Sequence, residues 1–288
     1  MMIIVIATHI QATTIMLETT LLAILQGIAE FLPISSSGHL VLGKSLLGLS
    51  EVGIRLDIML HVGTLLSIAV FYFAVIKRIL VERDWRYILK VALSAIPAGF
   101  VGLLLKDQLE TLFASPRAVG VALIFTGLIL IATRFMPKGE KDVSFGRALI
   151  MGLAQAIAIL PGVSRSGMTI AAARSSGVET TKCAEFSFLM SIPPIVGAAL
   201  LEIVKSLGAP VAQAEAVASA GAEVVAQVSA GVGAVAQAEV SWGLAIYGAI
   251  VAAVVGYFAL RFLLSSLKSS WFWLFGPYCL VAGLIAAL

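Results

Sequence analysis

Two prolines constrain this chain more than any other feature. Pro33 and Pro161 each interrupt a long apolar run, and each is followed by serines and a glycine. The first stretch reads Gln26-Gly27-Ile28-Ala29-Glu30-Phe31-Leu32-Pro33-Ile34-Ser35-Ser36-Ser37-Gly38-His39. The second reads Leu160-Pro161-Gly162-Val163-Ser164-Arg165-Ser166-Gly167. Proline removes a rung of the helical ladder and clashes with the preceding turn, so a regular helix breaks at both places. The surroundings are suited to lipid: of 288 residues 60% are hydrophobic and 12% charged, where a soluble domain carries about 25% charged. Broken helices at membrane depth need protein or a cavity around them, and ionisable groups there are expensive enough to imply a function.

The charges suggest a topology. Lys77, Arg78, Arg83, Arg86 and Lys90 outweigh Glu82 and Asp84, and Arg134, Lys138, Lys141 and Arg147 outweigh Glu140 and Asp142. Arg261 and Lys268 precede the last apolar run, whereas Lys205 faces Glu215, Glu223 and Glu239 in a long acidic segment. Positive loops stay on the cytoplasmic side. Apolar runs at 62–76, 91–105, 118–133, 186–204, 242–262 and 271–288 are expected to span the membrane, with the acidic segment outside. Residues 21–41 and 149–172 are expected to form two re-entrant helical hairpins. The fold class expected is thus an all-α polytopic membrane protein with six transmembrane helices plus two re-entrant hairpins.

Gln26-Gly27-Ile28-Ala29 matches Gln155-Ala156-Ile157-Ala158, and both precede Leu-Pro and Ser-x-Ser-Gly. With opposite orientation of the halves, this reads as an inverted-topology repeat inside a single membrane domain, 1–288. The first repeat is 1–147 and the second 148–288, and 208–240 forms an external Ala-rich insertion. Inverted repeats place the working site near the midplane, where broken helices meet. The start of the chain lacks a basic n-region and a clear cleavage site, so no cleavable signal is expected. Cys183 and Cys279 lie in apolar surroundings and read as small buried hydrophobes. No basic face or aromatic platform supports nucleic-acid binding.

The polar residues at the two breaks define the chemistry. Glu30, four residues after Gln26, shares a helical face with it and can act as an acid or base or hold a divalent cation. Ser36 and His39 give a hydroxyl and an imidazole three residues apart, a minimal set for activating a nucleophile; either could attack, or His39 could protonate a leaving group or cap structure. Arg165 needs an anion, and its planar fork suits phosphate, unless Glu30 takes it as a structural partner. Ser164 and Ser166 are phosphate donors, while Gly162 and Gly167 let backbone N–H groups approach. His61, at the external end of a span, is a candidate to face the same cavity but, standing alone, reads as structural rather than catalytic, and the same reading holds for Glu18, Asp57, Glu185 and Glu202.

These residues resemble the motifs of the bacitracin-resistance (BacA/UppP-type) undecaprenyl-diphosphate phosphatase family, over nearly the whole chain. Asp57 through Thr64 and Ala184 through Pro193 resemble its supporting segments. The resemblance implies hydrolysis of undecaprenyl diphosphate to the monophosphate and inorganic phosphate, recycling the carrier lipid for cell-wall synthesis. It implies Glu30, Ser36, His39 and Arg165 as the functional, catalytic residues; beside them, Gln26, Ser35, Ser37, Ser164, Ser166, Gly162 and Gly167 read from the two motifs themselves as substrate-binding. A divalent cation, Mg2+ or Ca2+, is expected on Glu30 with Gln26, which stands where many relatives carry glutamate. Expected partners are a polyprenyl diphosphate, membrane lipids and, as a candidate assembly, a homodimer. The expected location is a bacterial cytoplasmic membrane, with the cavity facing outward. A lipid-phosphate or anion transporter is the alternative.

Overall fold

Close approach of helices through glycine organises the molecule. The computed structural model describes residues 2–47, 54–197, 200 and 241–288; the expected insertion at 208–240 lies outside them. The helices are α1 (Met2–Ala29), α2 (Ser36–Leu47), α3 (Ile54–Phe71), α4 (Phe73–Val81), α5 (Trp85–Leu104), α6 (Lys106–Phe113) and α7 (Pro116–Ala132). They continue with α8 (Phe145–Ile157), α9 (Arg165–Ser175), α10 (Thr180–Leu189), α11 (Trp242–Lys268) and α12 (Phe275–Ala287).

Four helix pairs carry most of the packing: α7 with α12, α3 with α11, α5 with α8, and α1 with α11. Each meets across a glycine. A methyl group added at Gly283 of α12 would lie 2.6 Å from the Gly120 carbonyl of α7. One added at Gly63 of α3 would lie 2.2 Å from the Ala249 carbonyl of α11, and one at Gly152 of α8 would lie 2.6 Å from the Ser94 carbonyl of α5. In lipid no hydrophobic force separates helix from tail, so association relies on such backbone-close packing. The outward faces stay apolar: Ile246, Ile250, Val254, Phe258 and Phe262 recur every fourth residue along α11, all exposed.

Starts and stops follow local chemistry. Ser115 caps α7, with Pro116 at its first position, and Asp84, Ser144 and Ser241 cap α5, α8 and α11 by accepting first-turn N–H groups. Two parallel bridges, Gly139 with Glu179 and Lys141 with Val178, tie the basic loop before α8 to the turn before α10. Lys182 pairs there with Asp142.

The structure is all-α, but the six-span architecture is overturned. Among the described residues, Pro116–Phe135 and Trp242–Lys268 are long and apolar enough to cross a membrane. A third span arises only if Arg55–Phe71 and Phe73–Val81, bent by 72°, count as one. The reason is helix length. Phe272–Ala287, where the run 271–288 was expected to span, is apolar but falls among helices of 10–17 residues, short of the roughly 20 that hydrocarbon demands. The run 91–105 sits in α5, which carries Arg86 and Lys90 early and Pro97 inside. The run 186–204 is cut when α10 ends at Leu189. With the six spans goes the arrangement of six spans and two re-entrant hairpins as an inverted repeat. At 21–41 and 149–172 the structure has helix–break–helix segments.

The glycine contacts predict stability. Gly63→Ala should lower the thermal midpoint in detergent, because overpacking costs about 1–3 kcal/mol. Gly146→Ala, whose added methyl meets nothing within 4 Å, should leave it unchanged or slightly raised. Equal midpoints for the two variants would refute the close-packing account.

Candidate active site

The two breaks are built alike. After α1 the ladder runs on to Glu30, whose N–H donates to the Gln26 carbonyl at 2.9 Å. The chain then turns through Pro33 and places Ser35 at φ 70°, a left-handed conformation that costs a residue with a side chain about 1–3 kcal/mol. Ser35 Oγ accepts the Gly38 N–H at 3.3 Å and lies 3.3 Å from Ser37 Oγ. At the second break Ser164 Oγ accepts the Gly167 N–H at 3.1 Å and lies 3.3 Å from Ser166 Oγ. The first serine of each Ser-x-Ser-Gly is thus a cap. The middle residues, Ser36 and Arg165, open α2 and α9.

Both middle residues converge on Glu30. Arg165 Nη2 donates to Glu30 Oε1 at 2.5 Å, and Ser36 Oγ donates to Oε2 at 2.8 Å. Gln26 Nε2 donates to the same Oε2 at 3.1 Å, and His61 Nε2 stands 3.9 Å from it. The Arg165 guanidinium also lies over the Phe188 ring, 5.9 Å from its centre. α7 holds the second turn: Thr126 Oγ1 donates to the Gly162 carbonyl at 3.0 Å and accepts the Ser164 N–H at 3.1 Å. Gly162, at φ 93°, is pressed so close to α7 that a methyl there would sit 2.4 Å from the Val119 carbonyl. Its lack of a side chain serves packing against that helix.

A cavity of about 50 Å³ opens beside the carboxylate, lined by Glu30, Ser35, Ser36, Ser37, His61, Gln155, Ser164, Arg165 and Ser166. A water needs about 10–15 Å³ on the same measure, so there is room for a small polar group. Phe113, Ile159 and Ile195 form an apolar side. Several buried polar atoms here lack a partner among the described residues: Arg165 Nη1, Gln26 Oε1, and both Gln155 amide atoms. Each such atom costs about 1–3 kcal/mol unless something binds it.

Most of the sequence-predicted residues meet around this cavity. Gln26 reaches it through Glu30, while Gly162 and Gly167 shape the turns behind it. His39 stands apart. Its Nδ1 is 2.9 Å from the Ser35 carbonyl and its Nε2 2.7 Å from the Tyr278 hydroxyl, and it does not line the cavity. His61 lines the cavity it was a candidate to face, whereas Gln155 was passed over as a site residue. The signal for Gln155 was its match to Gln26.

Residues 19–285 match the family model described as Bacitracin resistance protein BacA. The chain belongs to that family. Among its relatives, a protein of Desulforapulum autotrophicum called undecaprenyl-diphosphatase is 35% identical over 94% of this chain and 97% of its own length. A protein of the same name from Desulfatibacillum aliphaticivorans is 38% identical over 93% and 96%, and one from Halothermothrix orenii 37% identical over 92% and 94%. In this BacA-family chain the matched region contains both breaks and every residue around the cavity.

The donor set bears on a cation. Among the described residues, no group of three or more His, Cys, Asp or Glu could hold a metal. Glu30 with the unpartnered Gln26 Oε1 nonetheless suits a hard ion that takes its remaining ligands from phosphate and water.

The buried ion pair predicts a coupling. Arg165→Ala should lower stability by about 3 kcal/mol, because Glu30 is left charged and buried. Adding Glu30→Gln should recover part of that loss in thermal unfolding in detergent. A double variant less stable than Arg165→Ala would contradict the pairing.

Proposed function

We propose that this chain is a membrane phosphatase that hydrolyses undecaprenyl diphosphate to undecaprenyl phosphate and inorganic phosphate. The observation that carries the reading is the division of labour in Arg165. One arm of the guanidinium is held by Glu30, while Nη1 is buried beside the cavity without a partner among the described residues. Family membership supports a phosphatase-type hydrolase, and the undecaprenyl diphosphate substrate follows the names of the relatives.

The terminal phosphate fits the cavity, and the prenyl tail must lie outside so small a space. Arg165 Nη1 and the N-terminal ends of α2 and α9 supply positive potential to its oxygens. Gln155 offers an amide N–H to the same group. Ser36 attacks phosphorus as Glu30 Oε2 takes its proton; the bond to the bridging oxygen breaks and the lipid monophosphate leaves. Water then cleaves the phosphoserine, releasing phosphate and restoring the Ser36 hydroxyl. Glu30 with Gln26 would hold a Mg2+ or Ca2+ ion, which when bound neutralises phosphate charge. Phosphoryl transfer depends chiefly on positioning and charge stabilisation, and the fixed guanidinium meets both needs. The basic loops support a cytoplasmic location for the end bearing Ser144 and an outward-facing cavity.

Phosphate release from purified protein in detergent tests the reading. Arg165→Ala and Glu30→Ala should each lose about a hundredfold or more in rate. Ser36→Ala should abolish turnover, EDTA should suppress it, and Mg2+ or Ca2+ should restore it. Near wild-type release by Arg165→Ala would remove the phosphate clamp, and tight substrate binding without release would favour a carrier. Sidedness has its own test: in intact cells an impermeant thiol reagent should label a cysteine at Ser37 and spare one at Ser144. The reverse pattern would invert the orientation.

A further inference from the structure

We propose that Tyr278 is a positioning residue: through His39, its hydroxyl fixes the turn that presents Ser36. The proposal rests on the phosphatase reading of the cavity but concerns a residue on a distant element that does not line it.

Two consecutive residues of α12 reach the first break. The Tyr278 hydroxyl lies 2.7 Å from His39 Nε2, and the two rings stack at 5.6 Å with 15° between their planes. Cys279 Sγ, buried, lies 3.6 Å from the Pro33 carbonyl. The tautomer follows from the partners. A carbonyl can only accept, so His39 Nδ1 carries the proton and donates to Ser35 O at 2.9 Å. In the neutral ring Nε2 then accepts from Tyr278.

The Ser35 carbonyl is therefore held twice, by the His39 ring and by the His39 backbone N–H at 3.1 Å. Ser35 is the residue at φ 70°, and strain of that kind persists only where its surroundings fix it. The next residue is Ser36, whose Oγ meets Glu30. A chain of bonds thus runs from α12 through His39 to the peptide that precedes Ser36. Both His39 ring nitrogens are used in that chain. α12 is itself locked to α7, the helix that holds the other break through Thr126. One helix pair therefore sets the distance between Ser36 and Arg165.

The test uses full-length protein in detergent and a polyprenyl diphosphate. Tyr278→Phe should lower kcat about tenfold with KM within about twofold, since a small displacement of a reacting group is costly in rate. In a His39→Asn background the same change should cost less than about twofold, because the chain is already cut. Hydrogen exchange over residues 33–40 should speed up in Tyr278→Phe. Unchanged exchange, or faster exchange with unchanged kcat, would overturn the proposal. Equal losses in both backgrounds would also overturn it, by showing that Tyr278 acts without His39. A wild-type protein releasing no phosphate would strike the phosphatase reading and this proposal together, whereas an active wild type with an indifferent Tyr278→Phe would strike this proposal alone.

Discussion

The Glu30 carboxylate is the point on which the rest of the structure depends. Buried among apolar helices, it is stabilised by charge and hydrogen bonds brought from three places in the chain: Arg165, Ser36 with Gln26, and His61. A charge of this kind is tolerated only when paired and hydrogen-bonded. The pairing demands that the two breaks lie against each other, and Gly38 packs close enough to Gly162 that a methyl there would lie 3.0 Å from its Cα. Fold and site are thus one requirement. The α2 and α9 N-termini face the cavity because the middle residues of both motifs must reach one carboxylate.

The glycine-mediated helix pairs make that convergence rigid. α7 touches the second break through Thr126, and α12 touches the first through Tyr278 and Cys279. Because α7 and α12 approach at backbone distance across Gly120 and Gly283, the two breaks are referred to a common frame. Preorganisation matters here because a phosphatase without a deep protein cage for its substrate must fix its few charged groups before phosphate arrives.

Much of the site was legible because its residues are out of place in their sequence. A glutamate, a serine run and an arginine inside apolar segments stand out, and the prolines marked where the helices stop. Gln155 was passed over although its match to Gln26 marked it, and Tyr278 comes from an element whose proximity only packing reveals. In sequence Gln155 reads as a polar residue in a small-residue helix, and Tyr278 as an ordinary aromatic near the end of the chain. His39, grouped with Ser36 by spacing, is turned by the first turn of α2 toward Tyr278. Span count failed for another reason: an apolar run does not define a straight helix. Tyr72 sits at a sharp bend, Leu189 ends its helix early, and Phe272–Leu274 winds as a separate tight turn before α12.

The unpartnered atoms around the cavity bear on what it can bind. Arg165 Nη1, Gln26 Oε1 and the Gln155 amide are buried polar groups with no partner among the described residues, at about 1–3 kcal/mol each. A core selected for stability alone would have filled or paired them. Their unmet bonds include both donors and acceptors, so one ligand of a single sign leaves some of them unsatisfied. A phosphate meets the guanidinium and the amide N–H groups, while the amide oxygens require a cation, water or a hydroxyl. On the proposed phosphatase reading, an anion arriving with its counter-charge would meet both kinds of group.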